Sequence, residues 1–513
     1  MPVAENQVIV ARDGNLIAIT PITKRVCEPI EKALTYQQVR HIRGKEAFET
    51  GKRIEFINTA CYRYKPDEKA PARMVTNFGY LSKIKAALKK LNVVVKVVNH
   101  RPHPRPQVFE PQWARIGDVN WRHKQKETIK AILDNENGRI DCPTGYGKSF
   151  IIVQLARLLP HARIDVVVKS TKIARDIYAT LCTHLPDVGI VGAGKKYEGR
   201  RVMVYTADSL QHSEFDADIV LADEGHELAA PTYLRKLARY RYSRMFMFSA
   251  SQKRPDRREF ELEGVFGPLI MEISYQEAQA ANMIVPIEVR WSDINCDRNP
   301  CDGKTDVPRE RAGIWRNQTR NQKIAEIARM YPDDQVLIVV STVEHAMHLK
   351  KHLPEFTLAY ETLSEEDRQK YTAWGLIDED EPYMTSKRKL DLEKQFEKGT
   401  LRKVIVTTIW NRGVNFHQLQ VLIRADGGGS PIGDTQIPGR VSRLYTDKKV
   451  GILHDFMDNF DDGYLNKSLG RRRNYRQKGW TQVDLDKPKD AEPIRRRSGR
   501  RKSSASSGDS GTG

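Results

Sequence analysis

Short apolar runs recur along the chain at two periods, and the way they alternate divides it. Near the start, "QVIVA" and "LIAIT" are strand-like, "YLSKIKAALKKL" has a helical period, and "NVVVKVV" is a β-branched run. Together they predict a small α/β module over residues 1–110. It ends in "NHRPHPRPQVFEPQ", whose prolines forbid helix continuation and mark a linker.

From Trp121 onward helices and nearly all-apolar strands alternate. "RHKQKETIKAILDN" and "SFIIVQLARLL" are helical, "IDVVVK" is a strand, "IARDIYATLCTHL" is a helix, and "RVMVY", "DIVLAD" and "RMFMFSA" are strands. Short strands without a polar face imply a parallel sheet covered by helices on both sides. The alternation resumes with "QVLIVVS", the helix "VEHAMHLKKHL", and the strands "KVIVTT", "LQVLIRA" and "VGILHDFMD". A polar connector at 285–315, carrying Pro300, Gly303 and Pro308, suits a hinge between two sheet domains. The expected boundaries are 111–290 for the first lobe, 291–470 for the second and 471–513 for a tail.

Composition adds a partner class. Of 513 residues, 85 are Lys or Arg and 66 are Asp or Glu, a net +19 that points to a polyanion such as nucleic acid. From Arg471 the chain holds 13 basic and 5 acidic residues and ends in "SGRRKSSASSGDSGTG", a composition expected to be disordered at least from about residue 490. Six scattered cysteines argue for a reducing compartment, and Cys296 with Cys301 lack the further ligands a zinc site needs. The N-terminus lacks a secretory signal pattern, and no stretch reaches the roughly 18 apolar residues of a membrane span, so a non-secreted, cytoplasmic protein with no membrane partner is expected.

Two segments carry chemistry. "CPTGYGKS" (Cys142–Ser149) follows a strand and opens a helix, which places backbone N–H groups of a Gly-rich turn toward an anion. The strict phosphate-loop pattern is missed at its first glycine, where Cys142 stands, yet Lys148 supplies an ammonium for β/γ-phosphates and Ser149 a hydroxyl for Mg²⁺. Seventy-five residues on, "DIVLADEGHE" delivers Asp223 and Glu224 at the end of a strand, suited to hold Mg²⁺ and to polarise attacking water. Taken alone, the first is also a plain turn and the second an acidic helix cap.

Read in order, "PTGYGKS", "DEGH", "SAS" (249–251), "VTTIWNRGVN" (406–415) and "QIPGRVSR" (436–443) resemble motifs I, II, III, V and VI of the superfamily 2 helicases. "VVKSTKIARD", "VYTADSL" and "VVST" resemble motifs Ia, Ib and IV, so the likeness spans residues 120–460. His226 in motif II and Gln436 in motif VI depart from the DEAD-box RNA pattern, and the chain is most similar to the UvsW-like phage DNA branch-remodelling helicases. The resemblance implies two tandem RecA-like parallel-sheet lobes behind the N-terminal α/β domain, with ATP and Mg²⁺ as cofactors. It implies that Gln125 reads adenine, that Pro143, Thr144, Gly145, Tyr146, Gly147, Lys148 and Ser149 bind the phosphates, and that Ser149 and Asp223 hold the metal. Glu224 would activate water, Gln436 would help place it, and Arg440 and Arg443 would reach the γ-phosphate from the second lobe. His226, Ser249, Ala250, Ser251, Gly413 and Asn415 would couple the nucleotide to the polymer. Lys169, Thr171, Lys172, Thr206 and Thr407 would meet phosphates of a nucleic-acid track.

The resulting expectation is an ATP-dependent helicase or translocase, monomeric, acting on branched, forked or single-stranded DNA in replication, recombination or repair, and in the host bacterial cytoplasm if viral. An RNA helicase is the same-class alternative, and a nucleic-acid-binding scaffold without ATPase activity is the alternative from another class.

Overall fold

The computed structural model describes residues 6–42, 54–65, 73–250, 254–410, 416–429, 433–446 and 448–486. Among these, no helix is long and apolar enough to cross a membrane. The tail beyond residue 486 lies outside the described residues.

The N-terminal module is a five-stranded sheet in the order 62–65, 73–77, 16–20, 7–13, 94–101, antiparallel except for the last pair. Alternation places Val8, Val10, Ile17 and Ile19 on one face. The helices Lys24–Leu34 and Leu81–Lys89 cover it with Val26, Ile30, Leu34, Ile84 and Leu88, spaced four apart along each helix. A separate hairpin pairs Thr35–His41 with Ile54–Ala60.

This module is seated on the first lobe. Gly14 turns the first hairpin at φ +62°, and a Cβ there would lie 1.9 Å from the carbonyl oxygen of Arg241. The side-chain amide of Asn15 donates to the carbonyls of Tyr240 (2.7 Å) and Ser243 (3.0 Å), and the Tyr80 hydroxyl donates to Phe260 O (2.8 Å).

The first lobe is an eight-stranded sheet in the order 195–197, 188–192, 202–206, 164–168, 219–223, 244–249, 137–141, 269–272, parallel but for its first strand. The second has seven parallel strands in the order 357–359, 403–406, 336–339, 421–424, 451–458, 287–294, 481–484. Strands 164–168, 202–206, 219–223, 336–339, 421–424 and 451–458 are buried throughout, as a sheet covered on both faces requires; they are mostly apolar, and buried charges such as Asp165, Arg424 and Asp455 are hydrogen-bonded.

Two boundaries differ from the sequence expectation. The strand Ile287–Ile294 already belongs to the second sheet, so the connector falls before it. Residues 471–486 are not tail: the helix Asp462–Gln477 and the strand Thr481–Asp484 complete the second lobe. Composition misassigned them because Arg471 is buried and paired, and Tyr475 and Trp480 are buried with it. Arg471 bonds Asp455 (3.0 Å) and donates to the carbonyls of Gly428 (2.7 Å) and Phe456 (2.9 Å), while Tyr475 donates to Asp455 (2.8 Å).

Replacing Arg471 with Met leaves Asp455 buried without its cation, a change expected to destabilise the second lobe by about 3–5 kcal/mol. Denaturant unfolding of the full chain checks this. A chain cut after Asp486 is expected to melt like the intact protein, and one cut after Gly470 is not.

Candidate nucleotide site between the lobes

The order of the first sheet sets strands 137–141, 244–249 and 219–223 side by side, so the segments that leave their carboxyl ends converge. The first is the Gly-rich loop. Cys142 N donates to Ser249 O (3.0 Å), which ties the loop to the neighbouring strand; the Cys142 side chain is fully buried, and burial raises its thiol pKa. Gly145 and Gly147 take φ +90° and +97°, the left-handed region that lets the backbone curl over an anion. The helix Lys148–Leu158 then begins, with its first N–H groups facing the loop.

The loop is braced from beneath. Tyr146 is buried, and its hydroxyl donates to His123 O (3.0 Å) and lies 3.2 Å from Thr128 Oγ1. Tyr146 therefore offers a ligand its backbone, not its ring. Gln125 is buried too: its Nε2 donates to Tyr146 O (2.9 Å) and its Oε1 accepts from Arg122 N (3.0 Å). A Cβ on Gly147 would stand 2.7 Å from that Nε2. The structure thus shows Gln125 bracing the loop; the adenine contact remains an inference from the resemblance.

Lys148 meets both motif II carboxylates. Its Nζ lies 3.4 Å from Asp223 Oδ1 and hydrogen-bonds Glu224 Oε1, with side-chain exposures of 12, 8 and 16% for the three residues. Burial disfavours the ammonium, but Asp223 and Glu224 outweigh it and raise the Lys148 pKa. Burial raises Asp223, against the pull of Lys148. Asp223 Oδ1 is buried and makes no hydrogen bond of good geometry. That oxygen, and the hydroxyl of Ser149 in the first turn of the helix, are hard donors that fit Mg²⁺. Among the described residues no cluster of three His, Cys, Asp or Glu could hold a metal, so the ion would complete its shell with phosphate oxygens and water.

Glu224 takes φ +49°, a strained conformation for a residue with a Cβ. His226 follows, 1% exposed, with Nδ1 2.9 Å from Ser249 Oγ and 3.5 Å from Glu224 Oε2. This histidine joins motif II to motif III at Ser249. Ser251, Gly413, Asn415 and the side chain of Gln436 lie outside the described residues.

The second lobe presents cations to the same seam. The turn Pro438–Arg440 follows the helix Gly433–Gln436, and a Cβ on Gly439 would lie 3.4 Å from Thr144 Oγ1, so motif VI abuts the loop. Burial pulls Arg440 down to about 9, helped by Arg443 and opposed by Glu393; it pulls Arg443 down to about 10, opposed by Glu397. Lys448 is drawn down to about 7 by burial and by Arg443, and its Nζ donates to Leu419 O (2.7 Å). Sequence reasoning missed Lys448 because no motif contains it.

The proposed polymer contacts fare unevenly. Thr206 is buried and caps the turn after its strand, where its Oγ1 accepts from Ser209 N (3.3 Å), and Thr407 is buried with its N–H donating to Ala359 O (3.1 Å). Both are corrected to structural roles. Lys169 pairs with Asp208 (3.2 Å), and Lys172 pairs with Glu393 across the seam, so their charges are partly engaged within the protein. Thr171 is exposed at the start of the helix Thr171–His184.

Two parallel-sheet lobes with a phosphate loop and paired carboxylates on one and arginines on the other define a nucleotide-driven motor. Known proteins place it further. The model of the type III restriction enzyme res subunit matches residues 118–254, and that of the helicase conserved C-terminal domain matches residues 319–445. Putative helicase 22 of Sulfolobus islandicus filamentous virus is 23% identical over 68% of this chain and 66% of its own length. DNA 3'-5' translocase XPB2 of Sulfurisphaera tokodaii is 20% identical over 63% of this chain and 79% of its own. The structure of T4 UvsW aligns with 93% of this chain and 99% of its own at 16% identity, TM-score 0.40. The chain belongs to the superfamily 2 helicases, a family whose members couple a nucleotide to work on nucleic acid.

Two outcomes are expected at this site. Gly147→Ala forces a Cβ against Gln125 at a positive φ, with strain of order 1–3 kcal/mol, so ATP affinity measured by calorimetry should fall by about tenfold or more. Arg440 must be charged to meet a phosphate, and its folded pKa lies below the usual one, so kcat/KM for ATP should fall as pH rises through about 9. The same depression means that the neutral form is favoured by folding, so stability should not fall with this group as pH rises through that window.

Proposed function

We propose that this protein is an ATP-dependent DNA helicase or translocase that unwinds or remodels branched DNA, in the manner of the UvsW-like group. The observation that carries it is the buried cluster of Lys148 with Asp223 and Glu224 on a loop that motif VI abuts, where Gly439 stands beside Thr144. Magnesium-bound ATP, once in place, supplies the transferable γ-phosphoryl group. Lys148 would leave its carboxylate partners for the β/γ-phosphates, Asp223 and Ser149 would hold the cation, and Glu224 would orient and deprotonate water. Arg440 and Arg443 steady the charge that spreads over the phosphoryl oxygens. Because these cations sit on the other lobe, their engagement draws the lobes together, and their release lets them part.

DNA as the polymer is supported by the relative XPB2, a DNA 3'-5' translocase, and by the departures at His226 and Gln436 from the DEAD-box pattern. The net charge of +19 favours a polyanion of either kind. The helix Leu81–Lys89 and its cap expose Lys85, Lys89 and Lys90 on the N-terminal module, a basic face for duplex or branched DNA. Since one chain carries both halves of the nucleotide site, it acts as a monomer. The viral origin of putative helicase 22 supports a viral setting, with the protein at work in the host cytoplasm in replication, recombination or repair.

The test is the steady-state ATPase rate at one salt concentration with no polymer, single-stranded DNA, linear duplex, forked DNA, four-way DNA and RNA. Forked or four-way DNA is expected to activate most, and Lys148→Ala or Glu224→Gln to lower turnover by about 10²–10⁴-fold with folding intact. Preferential activation by RNA overturns the DNA reading; wild-type turnover in either variant overturns the site.

A further inference from the structure

We infer that Arg254 is a positioning residue that locks the motif II turn and ties it to the N-terminal hairpin, so that polymer held by the N-terminal module is felt at Glu224. The inference rests on the reading of Glu224 as the group that activates water.

Arg254 lies just beyond motif III, and each arm of its guanidinium is engaged. Its Nε and Nη2 donate to the two carboxylate oxygens of Asp256, each at 2.8 Å, and its Nη1 donates to the carbonyl oxygen of His226. The Asp256 fork fixes the guanidinium plane, and the third bond then fixes the direction of the carbonyl two residues past Glu224. Glu224 needs such support. Its positive φ persists only where the surroundings over-determine it, and the neighbouring turn is held on one side by His226 on Ser249 and on the other by Arg254.

The far end of the same segment carries the hairpin. Asp256 O accepts from Val39 N (3.2 Å), the Tyr36 hydroxyl donates to Glu261 Oε1 (2.5 Å), and the Tyr36 ring stacks on Phe260 at 5.1 Å. Arg257 lies over the Phe56 ring at 5.8 Å. Asp256 is therefore shared: its carboxylate aligns the arginine that holds motif II, and its carbonyl receives the hairpin. A shift of the hairpin moves Asp256, and with it Arg254 and the turn. Spatial continuity alone does not show coupling, so the test measures coupling directly.

The variants are Arg254→Ala, Arg254→Lys, Val39→Pro and the double variant Arg254→Ala/Val39→Pro, with Glu224→Gln as the control for the site itself. Val39 N–H points out of the hairpin toward Asp256, so proline there removes the contact without breaking the ladder. Steady-state ATPase is read with and without forked DNA, together with KM for ATP and the melting temperature. Arg254→Ala is expected to lower kcat about tenfold with KM and melting temperature nearly unchanged. Arg254→Lys should fail to rescue it, because an ammonium cannot make the fork and the third bond together. Val39→Pro should leave the rate without DNA as it is and reduce stimulation by DNA, and the double variant should be no worse than Arg254→Ala. Unchanged kcat in Arg254→Ala, a full rescue by lysine, a parallel loss of melting temperature, or effects that multiply in the double variant overturn the inference. If Glu224→Gln is inactive while Arg254→Ala is not, only this inference fails; if Glu224→Gln is active, the site reading fails with it.

Discussion

An ammonium enclosed with two carboxylates where little water reaches is the interaction on which the seam depends. Lys148, Asp223 and Glu224 form a buried group with two anions and one cation. Such a group tolerates loss of its cation poorly, since an uncompensated buried charge costs about 3–5 kcal/mol. It tolerates exchange of its cation well. A divalent ion held by Asp223 would supply the counter-charge in place of the lysine, which would free Lys148 for phosphate oxygens without leaving an anion bare. The opposite face carries Arg440, Arg443 and Lys448, each pulled down by burial. In the proposed mechanism a negatively charged nucleotide–metal complex would relieve both faces at once.

What brings these groups together is strand order, and strand order was partly readable. Parallel strands covered on both faces must be apolar throughout, so "IDVVVK", "DIVLAD", "QVLIVV" and "KVIV" announced themselves. The phosphate loop and the acidic pair were legible for a related reason: each sits where such a strand ends. His226 and Ser249 were legible only by resemblance, and their 2.9 Å contact gives that assignment a physical basis. Less was readable where polar atoms are spent inside the protein. Arg471 looked like a solvated tail residue because hydropathy cannot see Asp455 sixteen residues upstream. Thr206 looked like a surface contact because a hydroxyl that caps a turn and one that meets a phosphate are the same residue in sequence. Trp410 packs in the core between Phe396 and Phe416, whereas Trp374 is exposed with Arg316 4.9 Å from its ring, a difference no local pattern signalled.

The second lobe shows how a basic protein buries its own charge. Arg320 pairs with Asp458 (2.9 Å), Arg471 with Asp455 (3.0 Å), and Arg424 with Asp426 (2.8 Å) and Asp434 (2.5 Å), with Tyr475 donating to Asp455 at 2.8 Å. Hydrophobic groups of like volume would serve stability as well or better, so such pairs fit a role in geometry. Asp434 belongs to the short helix Gly433–Gln436 that leads to Arg440. A guanidinium that fixes Asp434 from the adjacent strand sets the approach of that helix, and hence of the arginines that follow it.

The N-terminal module completes the mechanical argument. Its contacts through Gly14, Asn15, Tyr36, Val39 and Tyr80 all land on the first lobe, at residues 240–243 and 256–261. The strand Arg244–Ser249 links these regions, beginning beside the seat of Asn15 and ending at the serine that holds His226. A hydrogen-bonded strand in the middle of a sheet does not bend to absorb a displacement between its ends. The module and the motif II turn are therefore linked through this strand as well as through Asp256 and Arg254. The seam where Gly439 stands beside Thr144 is then the boundary at which the second lobe's motif VI faces the lobe that carries the module.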